Sequence, residues 1–355
     1  MKKKFLIAGL IFFIFATVAS GVYFLYPKNQ SVPSAPAAIV SPAPPESFSF
    51  RGVLADIVSA ISGAPNPSSP PPASVPSNPF STEKSDSTTA FSFAVIGDTK
   101  VFSAGDPKGN LEKAVASIEK QNPNFSFIMG DIVSSCDGGS KCESKYADWK
   151  STMGSLLAKT YEVVGNHDRT GGSGADAVWQ KEFNLPTNGP DGYSELVYSF
   201  DFGNSHFVVL NSEKPKEHIV NDVQRAWLEK DLTANKKANT FVFFHEPAYQ
   251  VSQNVKDGLD ADTGERDALW NILKKHNVKY VFNGHAHLFS EKKIGNIYQI
   301  VEGDTDSTND DFPLAGFADY AYKGKAYTIM QVDGTKVKLN LYSVDGNLIK
   351  TLDLD

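Results

Sequence analysis

The chain has 355 residues, of which 41% are hydrophobic and 21% are charged, a composition typical of globular proteins. The first 89 residues carry six Lys or Arg and four Asp or Glu, so residues 90–355 hold 28 basic and 37 acidic side chains, a net charge of −9. This balance argues against a surface for a polyanion, and no nucleic-acid partner is expected. A small phosphorylated substrate is compatible with it, because a bound cation inverts the local field.

Residues 1–27 read as a membrane anchor. Lys2, Lys3 and Lys4 precede 22 residues without a charge, and a bilayer core needs about 20 apolar residues as a helix. The lysines are expected on the cytoplasmic side, which places the rest of the chain outside the cytoplasm. The alternative is a signal peptide cleaved near Ala19-Ser20, which would release a secreted protein. The apolar run continues past that site, and this favours the anchor.

Residues 28–89 are predicted to be a disordered linker, and residues 90–355 a single folded domain. Residues 27–80 contain 13 of the 20 prolines, interleaved with Ser and Ala. Such a segment cannot bury enough apolar surface to offset its ordering entropy, and it is expected to act as a semi-rigid spacer. In an exported domain the spacing of Cys136 and Cys142 predicts a local disulfide, with two free thiols as the alternative.

The folded part alternates strands and helices and ends in strands. The predicted elements are strand 91–96, helix 110–121, strand 125–129, helix 146–157, strand 160–164, a hairpin over 196–212, helix 221–232, strand 240–244, helix 265–276, strand 279–282 and several later β segments. This alternation predicts α/β layers, and the purely apolar strands indicate burial on both faces. The acidic stretch 257–267 is expected to be a capped loop before a helix, with calcium binding as the alternative. Residues 302–312 are expected to be a solvated loop, with a position near the mouth of the site as the alternative.

Five consecutive strands each end in polar side chains, and a glycine precedes most of these clusters. The candidates are Asp98, Asp131, Asn166, His167, Asp168, His245, His285 and His287. If the strands are parallel, these side chains share one rim of the sheet, where ligands collect. An extended segment 285–287 would point its two imidazoles the same way, toward two neighbouring metal ions. Oxygen and nitrogen donors without thiolate favour Mn, Fe, Zn or Co over Ca or Cu(I).

These residues stand in blocks that resemble the calcineurin-like metallophosphoesterase family, nearest its purple acid phosphatase branch. The blocks are GDTK (97–100), GDIVSS (130–135), GNHDRT (165–170), FFHEP (243–247) and GHAH (284–287). The resemblance implies a four-layer α/β/β/α sandwich of two mixed sheets flanked by helices. It also implies two divalent metal ions, a phosphate-ester substrate, and attack by a metal-bound hydroxide.

The resemblance assigns a role to each candidate. Asp98 and His287 would bind the first metal ion, and Asp131 would bridge both ions. The second ion would be held by Asn166, His245 and His285. His167, oriented by Asp168, would steady the phosphoryl oxygens or protonate the leaving group.

Two positions depart from the family pattern. Lys100 stands where the family usually has a histidine two residues after the first Asp. Ser134 stands where purple acid phosphatases have a tyrosine, so no iron–tyrosinate site is expected. The first metal site lacks one usual ligand, and it is expected to be weak, completed by water, or filled by Mg or Mn. Lys100 is expected to contact a substrate oxygen, with its pKa depressed by the metal ions, or to turn into solvent.

The sequence therefore predicts a membrane-tethered, extracytoplasmic phosphoesterase acting on phosphomonoesters or phosphodiesters at a two-metal site. The alternative is a non-catalytic or single-metal surface module of the same fold, with an impaired first site. The two hypotheses differ in whether Lys100, in place of the usual histidine, impairs the first metal site.

Overall fold

The computed structural model describes residues 89–102, 109–305, 313 and 315–354. The predicted anchor and nearly all of the predicted linker lie outside these residues. Within the described ranges, no helix is both long enough and apolar enough to cross a membrane.

Thirteen strands and five α-helices make up the described chain. The strands are β1 Ala90–Ile96, β2 Phe125–Ile128, β3 Thr160–Glu162, β4 Tyr198–Phe202, β5 Ser205–Val209, β6 Asn239–Phe243, β7 Tyr280–Asn283, β8 Phe289–Ile294, β9 Ile297–Val301, β10 Tyr320–Tyr322, β11 Ala326–Asp333, β12 Lys336–Ser343 and β13 Leu348–Asp353. The helices are α1 Gly109–Gln121, α2 Ser140–Met153, α3 Ser173–Glu182, α4 Asp222–Ala234 and α5 Thr263–Lys275. Short 3₁₀ helices span Gly154–Lys159, His167–Arg169 and Leu259–Ala261.

The strands form two mixed sheets. The first has the order β13-β12-β11-β1-β2-β3, and the second has the order β10-β8-β9-β7-β6-β5-β4. Strands β1, β2 and β3 are parallel, and so are β5, β6, β7 and β9, while the remaining pairs are antiparallel. Helices α1, α2, α4 and α5 connect parallel neighbours. The predicted four-layer α/β class is confirmed.

An aromatic core joins the two sheets. Phe127 of β2 stacks on Phe243 of β6 with ring centroids 3.8 Å apart, and Phe93 of β1 meets Phe241 of β6 edge-on at 5.2 Å. These side chains are fully buried. Large aromatic rings contribute both buried area and preferred ring geometry. The core therefore fixes the spacing between the sheets at the end where the polar side chains emerge.

Several element boundaries differ from the predictions. Helix α2 begins at Ser140, six residues before the predicted start, because its first turn includes the buried Cys142. Helix α3 follows the glycines at 171 and 172 and was not predicted. The acidic stretch before α5 ends in the expected helix cap, where the Asp262 side chain accepts hydrogen bonds from the backbone N–H groups of Gly264 and Glu265.

The predicted disulfide between Cys136 and Cys142 is present. Both cysteines are buried, and the bond ties the loop after β2 to the first turn of α2. The same loop carries Ser134, so the disulfide closes a segment beside the candidate site.

His206 is a structural residue of β5. Its Nδ1 lies 2.7 Å from Asp201 Oδ1 on β4, and its Nε2 lies 2.7 Å from Asp231 Oδ2 on α4. Burial opposes charge on the ring, but the hydrogen bonds to the two carboxylates outweigh it and raise the pKa of His206 to about 9. The charged imidazole links the hairpin to α4.

This ion triad predicts a pH-dependent stability. Since the pKa of His206 is raised above its unfolded value of about 6.5, its contribution is complete below pH 6.5 and is lost as the pH rises through 9. We expect the free energy of unfolding, measured by urea titration, to fall by up to about 3 kcal/mol over that window. His206→Gln should flatten this dependence. The control His276→Gln should keep it, and an unchanged slope in His206→Gln would contradict the assignment.

Candidate metal centre

The candidate residues come from both sheets rather than from one rim. Loops after β1, β2 and β3 of the first sheet and loops after β6 and β7 of the second sheet meet at one edge of the sandwich. The first sheet contributes Asp98, Asp131 and Asn166, and the second contributes His245, His285 and His287. The prediction that all candidates lie on one rim of a single sheet was wrong. The order of the strands along the sequence does not show that a second sheet begins at the hairpin β4-β5.

Glycines allow these loops to approach closely. A Cβ atom added at Gly165 would lie 2.3 Å from the backbone nitrogen and Oδ1 of Asp131. One added at Gly284 would lie 2.7 Å from Oδ1 of Asp98. Real Cβ atoms do not reach such distances, so any side chain at either position would push the two loops apart. The glycines before Asn166 and before His285 are thus required by packing between loops.

Four side chains form what we call the second donor set: Asp131, Asn166, His245 and His285. Asn166 Oδ1 lies 3.1 Å from His245 Nε2 and 3.3 Å from His285 Nδ1. His245 Nε2 lies 3.3 Å from both His285 Nδ1 and Asp131 Oδ1. A tetrahedral ion with ligand bonds of about 2.0–2.1 Å separates its ligand atoms by about 3.3–3.4 Å. The spacing of the four donor atoms therefore fits one divalent ion.

The orientation and charge of His245 agree with that fit. Its Nδ1–H donates to the carbonyl oxygen of Met129 at 2.6 Å, which leaves Nε2 directed at the other donors. Burial opposes protonation of the ring, yet the charge of Asp131 outweighs it and raises the pKa of His245 well above its ordinary value. The site therefore attracts positive charge at the point where an ion would sit.

The first donor set consists of Asp98, Asp131 and His287. His287 Nε2 lies 3.2 Å from Asp98 Oδ2, while Asp98 Oδ1 accepts a hydrogen bond from the backbone N–H of His285 at 3.0 Å. The segment 285–287 is bent rather than extended, because His285 has a φ of +67°. The two imidazoles consequently face different donor sets, and the expectation that they point the same way was wrong.

Lys100 points into the first donor set. Its Nζ lies 3.2 Å from Asp131 Oδ2, and its side chain is 10% exposed, so it does not turn into solvent. Burial lowers the pKa of Lys100, but the carboxylates of Asp131 and Asp98 outweigh this and raise it above its usual value. The depressed pKa that the sequence predicted applies to a centre that holds divalent ions, and it stays a prediction.

His167 lies beside both donor sets with its ring partly open to solvent. Its backbone N–H donates to Asp131 Oδ1 at 3.0 Å, and its Nε2 lies 3.9 Å from Asp131 Oδ2. Nδ1 lies 2.5 Å from the carbonyl oxygen of Ser134. A carbonyl oxygen can only accept, so the ring nitrogen must donate and the proton of this contact sits on Nδ1. The sequence predicted that Asp168 orients His167. The group that orients the ring is instead the backbone carbonyl of Ser134.

Asp168 instead joins its own loop to the loop after β2 and to helix α2. Its carboxylate is buried and accepts hydrogen bonds at 3.0–3.3 Å. The donors are the backbone N–H groups of Ile132, Val133 and Gly165 and the hydroxyl of Tyr146. Asp168 thus supports the loops that carry Asp131 and Asn166, and its role is structural.

Two acidic residues near the site were not identified from the sequence. Asp304, expected in a solvated loop, is 1% exposed, lies 4.0 Å from His287 Nδ1 and accepts a hydrogen bond from Lys325. Burial raises the pKa of Asp304 to about 7, although Lys325 offsets part of the effect. Asp257 lies 3.4 Å from His285 Nε2, on the side of the ring opposite the second donor set. The acidic composition of both stretches was a signal, but the burial of Asp304 depends on contacts with distant parts of the chain.

Fold and site together define an α/β protein with a metal-ligand cluster where two mixed sheets meet. Residues 91–289 match the calcineurin-like phosphoesterase family. The chain belongs to this family, and the predicted class of phosphoric ester hydrolase is confirmed with it.

Individual relatives cover different shares of the chain. A probable cyclic nucleotide phosphodiesterase of Rhodopseudomonas palustris is 25% identical over 207 residues, or 55% of this chain and 71% of that protein. Purple acid phosphatase 21 of Arabidopsis thaliana is 31% identical over 222 residues, or 57% of this chain and 45% of that protein. The chain thus spans less than half the length of this plant phosphatase.

The solved structure of purple acid phosphatase PPD1 from yellow lupin has a similar fold. It aligns with a TM-score of 0.63 at 15% identity, over 76% of this chain and 54% of that chain. At this identity the likeness concerns the fold alone.

The geometry of the second donor set predicts the effect of removing one ligand. His245→Gln should lower the affinity for Mn²⁺ or Zn²⁺ by at least about 10–100-fold, since even loss of a supporting residue has this effect. Metal content after dialysis, measured by mass spectrometry, checks it. His206→Gln is the matched control, because that histidine binds only carboxylates. A His245→Gln protein with wild-type metal content would show that the set is not a metal site.

Proposed function

We propose that the chain is a membrane-tethered, extracytoplasmic phosphoesterase that hydrolyses phosphomonoesters or phosphodiesters at a metal centre. The observation that carries the proposal is the second donor set, whose donor atoms from two sheets converge at 3.1–3.3 Å beside the ring of His167. A metal ion bound there would activate water and neutralise charge on the phosphoryl group. A second ion at the first donor set, which the sequence predicts, stays a prediction.

His167 is suited to act on the substrate rather than on the metal. Its side chain is 37% exposed, and Nδ1–H is engaged by the Ser134 carbonyl. A proton on Nε2 therefore makes the ring cationic, and this proton can be donated to a phosphoryl oxygen or to the leaving group. Asp131 Oδ2 lies 3.9 Å from Nε2, and the Asp131 side chain is fully buried.

The relatives support both ester classes. The matched proteins include a probable phosphodiesterase and purple acid phosphatases. The family blocks lie in the loops that hold the phosphoryl group, and they do not specify the leaving group. We therefore propose the reaction type for this chain and leave the choice between monoester and diester to assay.

The assay compares p-nitrophenyl phosphate with its bis ester, using the full-length protein in detergent with Mn²⁺, Zn²⁺, Fe²⁺ or Mg²⁺. We expect metal-dependent release of p-nitrophenol from at least one ester. His167→Gln should reduce kcat by about 10²–10⁴-fold for an ester with a poor leaving group, and by less for p-nitrophenol, while metal content stays constant.

Two results would contradict this reading. Metal bound without turnover of either ester would favour the non-catalytic module that the sequence leaves as the alternative. An equal loss for good and poor leaving groups in His167→Gln would remove the acid role and leave only electrostatic stabilisation.

The membrane tether is supported by the 22-residue uncharged run behind three lysines, which lies outside the described residues. The full-length protein should remain in the membrane fraction after a high-salt wash and be released by detergent. Recovery in the soluble fraction with an N-terminus near Ser20 would show cleavage and secretion instead.

A further inference from the structure

We propose that the ammonium group of Lys100 occupies the place of the first metal ion. The centre then holds one divalent ion at the second donor set and one side-chain cation at the first. This inference rests on the proposed function only in requiring that the second donor set binds metal. It concerns how many ions the centre binds, which the family membership alone does not decide for this chain.

The two oxygens of Asp131 are directed to different cation positions. Oδ1 lies 3.3 Å from His245 Nε2 in the second donor set, and Oδ2 lies 3.2 Å from Lys100 Nζ. One oxygen of this carboxylate thus belongs to the second donor set, and the other is held by a cation of the first. In this chain the second partner is an amine supplied by the polypeptide.

The backbone directs Lys100 into the site. Its φ of +36° lies in the left-handed region, and its N–H donates to the carbonyl oxygen of Asp131 at 2.8 Å. The neighbouring N–H of Thr99 donates to the same oxygen at 3.1 Å. These bonds hold the loop after β1 against the loop after β2, so the side chain emerges beside Asp131 Oδ2 rather than toward solvent.

This amine already balances one of the two buried carboxylate charges of the first donor set. Asp98 and Asp131 are 1% and 0% exposed, and a buried carboxylate requires a nearby positive group. Lys100 supplies this positive group, and only 10% of its side chain is exposed. A divalent ion entering the same space would be repelled by the ammonium and would have to displace it.

The positions of the metal-ligand atoms also support a single metal ion at the second donor set. Three donor atoms from His, Cys, Asp or Glu within 4.8 Å of one another are found once within the described ranges, and they belong to Asp131, His245 and His285. The first donor set forms no such group. Since a histidine at position 100 would supply the ligand that this set lacks, the lysine both removes a donor and adds a charge.

The ammonium gives this centre a different chemistry at the first position. It neutralises one negative charge and donates up to three hydrogen bonds, without a preferred coordination geometry. A phosphoryl oxygen placed between the two cations would meet a metal ion on one side and Lys100 on the other. Substrate affinity is then expected to depend on Lys100 directly.

The test is metal stoichiometry of the full-length protein in detergent, titrated with Mn²⁺ and measured by mass spectrometry and by electron paramagnetic resonance. The wild type should bind one equivalent and give the signal of an isolated Mn²⁺ ion. Lys100→His should bind two equivalents, the second at least about tenfold more tightly than in the wild type, and give a spin-coupled signal. Lys113→Met, which changes an exposed lysine, should behave as the wild type does.

The other possible results of the Mn²⁺ titration lead to different conclusions. Two equivalents with a coupled signal in the wild type would overturn the inference and leave the proposed function intact. A single equivalent in a folded Lys100→His protein would also overturn it, because the lysine would not be what excludes the ion. No Mn²⁺ at all in the wild type would contradict the metal centre, and with it the proposed function. The wild-type spectrum decides the question even if Lys100→His does not fold.

Discussion

The buried carboxylate of Asp131 is the group around which the site is organised. It is fully shielded from water, and an ionised carboxylate in that position is costly unless cations and N–H donors surround it. The compensation comes from the His167 backbone, from His245 on the opposite sheet and from Lys100. Asp131 itself has a φ of +51°, a conformation that is uncommon for residues other than glycine and that the surrounding hydrogen bonds must maintain. Because Asp131 is buried, strained and charged, its neighbours have to be cations or N–H donors.

The aromatic core explains how two separate sheets hold their ligands to within a few tenths of an ångström. The stacked pair Phe127 and Phe243 joins the strands that lead directly to Asp131 and His245. Both strands end within three residues of the ligand they carry. Rigid elements position functional side chains more precisely than long loops do. The same packing that stabilises the sandwich therefore fixes the distance between an oxygen donor of one sheet and a nitrogen donor of the other.

The sequence predicted most strands and the polar side chains at their ends, because apolar strands and glycine-bounded turns are local features. The two sheets were expected only through the family resemblance, since strand pairing depends on contacts between distant residues that periodicity does not show. Helix α3 was missed because two glycines precede it and its apolar spacing is weak. Asp168 was assigned to the neighbouring His167, whereas its hydrogen-bond donors are backbone N–H groups of two loops and the hydroxyl of Tyr146. The burial of Asp304 depends on Lys325, which lies 21 residues further along the chain.

The division of the second donor set between two sheets also links metal supply to folding. An ion that binds Asp131 and Asn166 from one sheet and His245 and His285 from the other acts as a cross-link that the unfolded chain cannot form. A ligand that binds only the native state at 100 times its Kd adds about 2.7 kcal/mol of stability. Such a gain is a sizeable part of the roughly 5–15 kcal/mol that separates folded from unfolded states in typical domains. If the second donor set binds metal as proposed, the amount of this protein that survives proteolysis should vary with the free metal concentration around it, independently of any catalytic turnover.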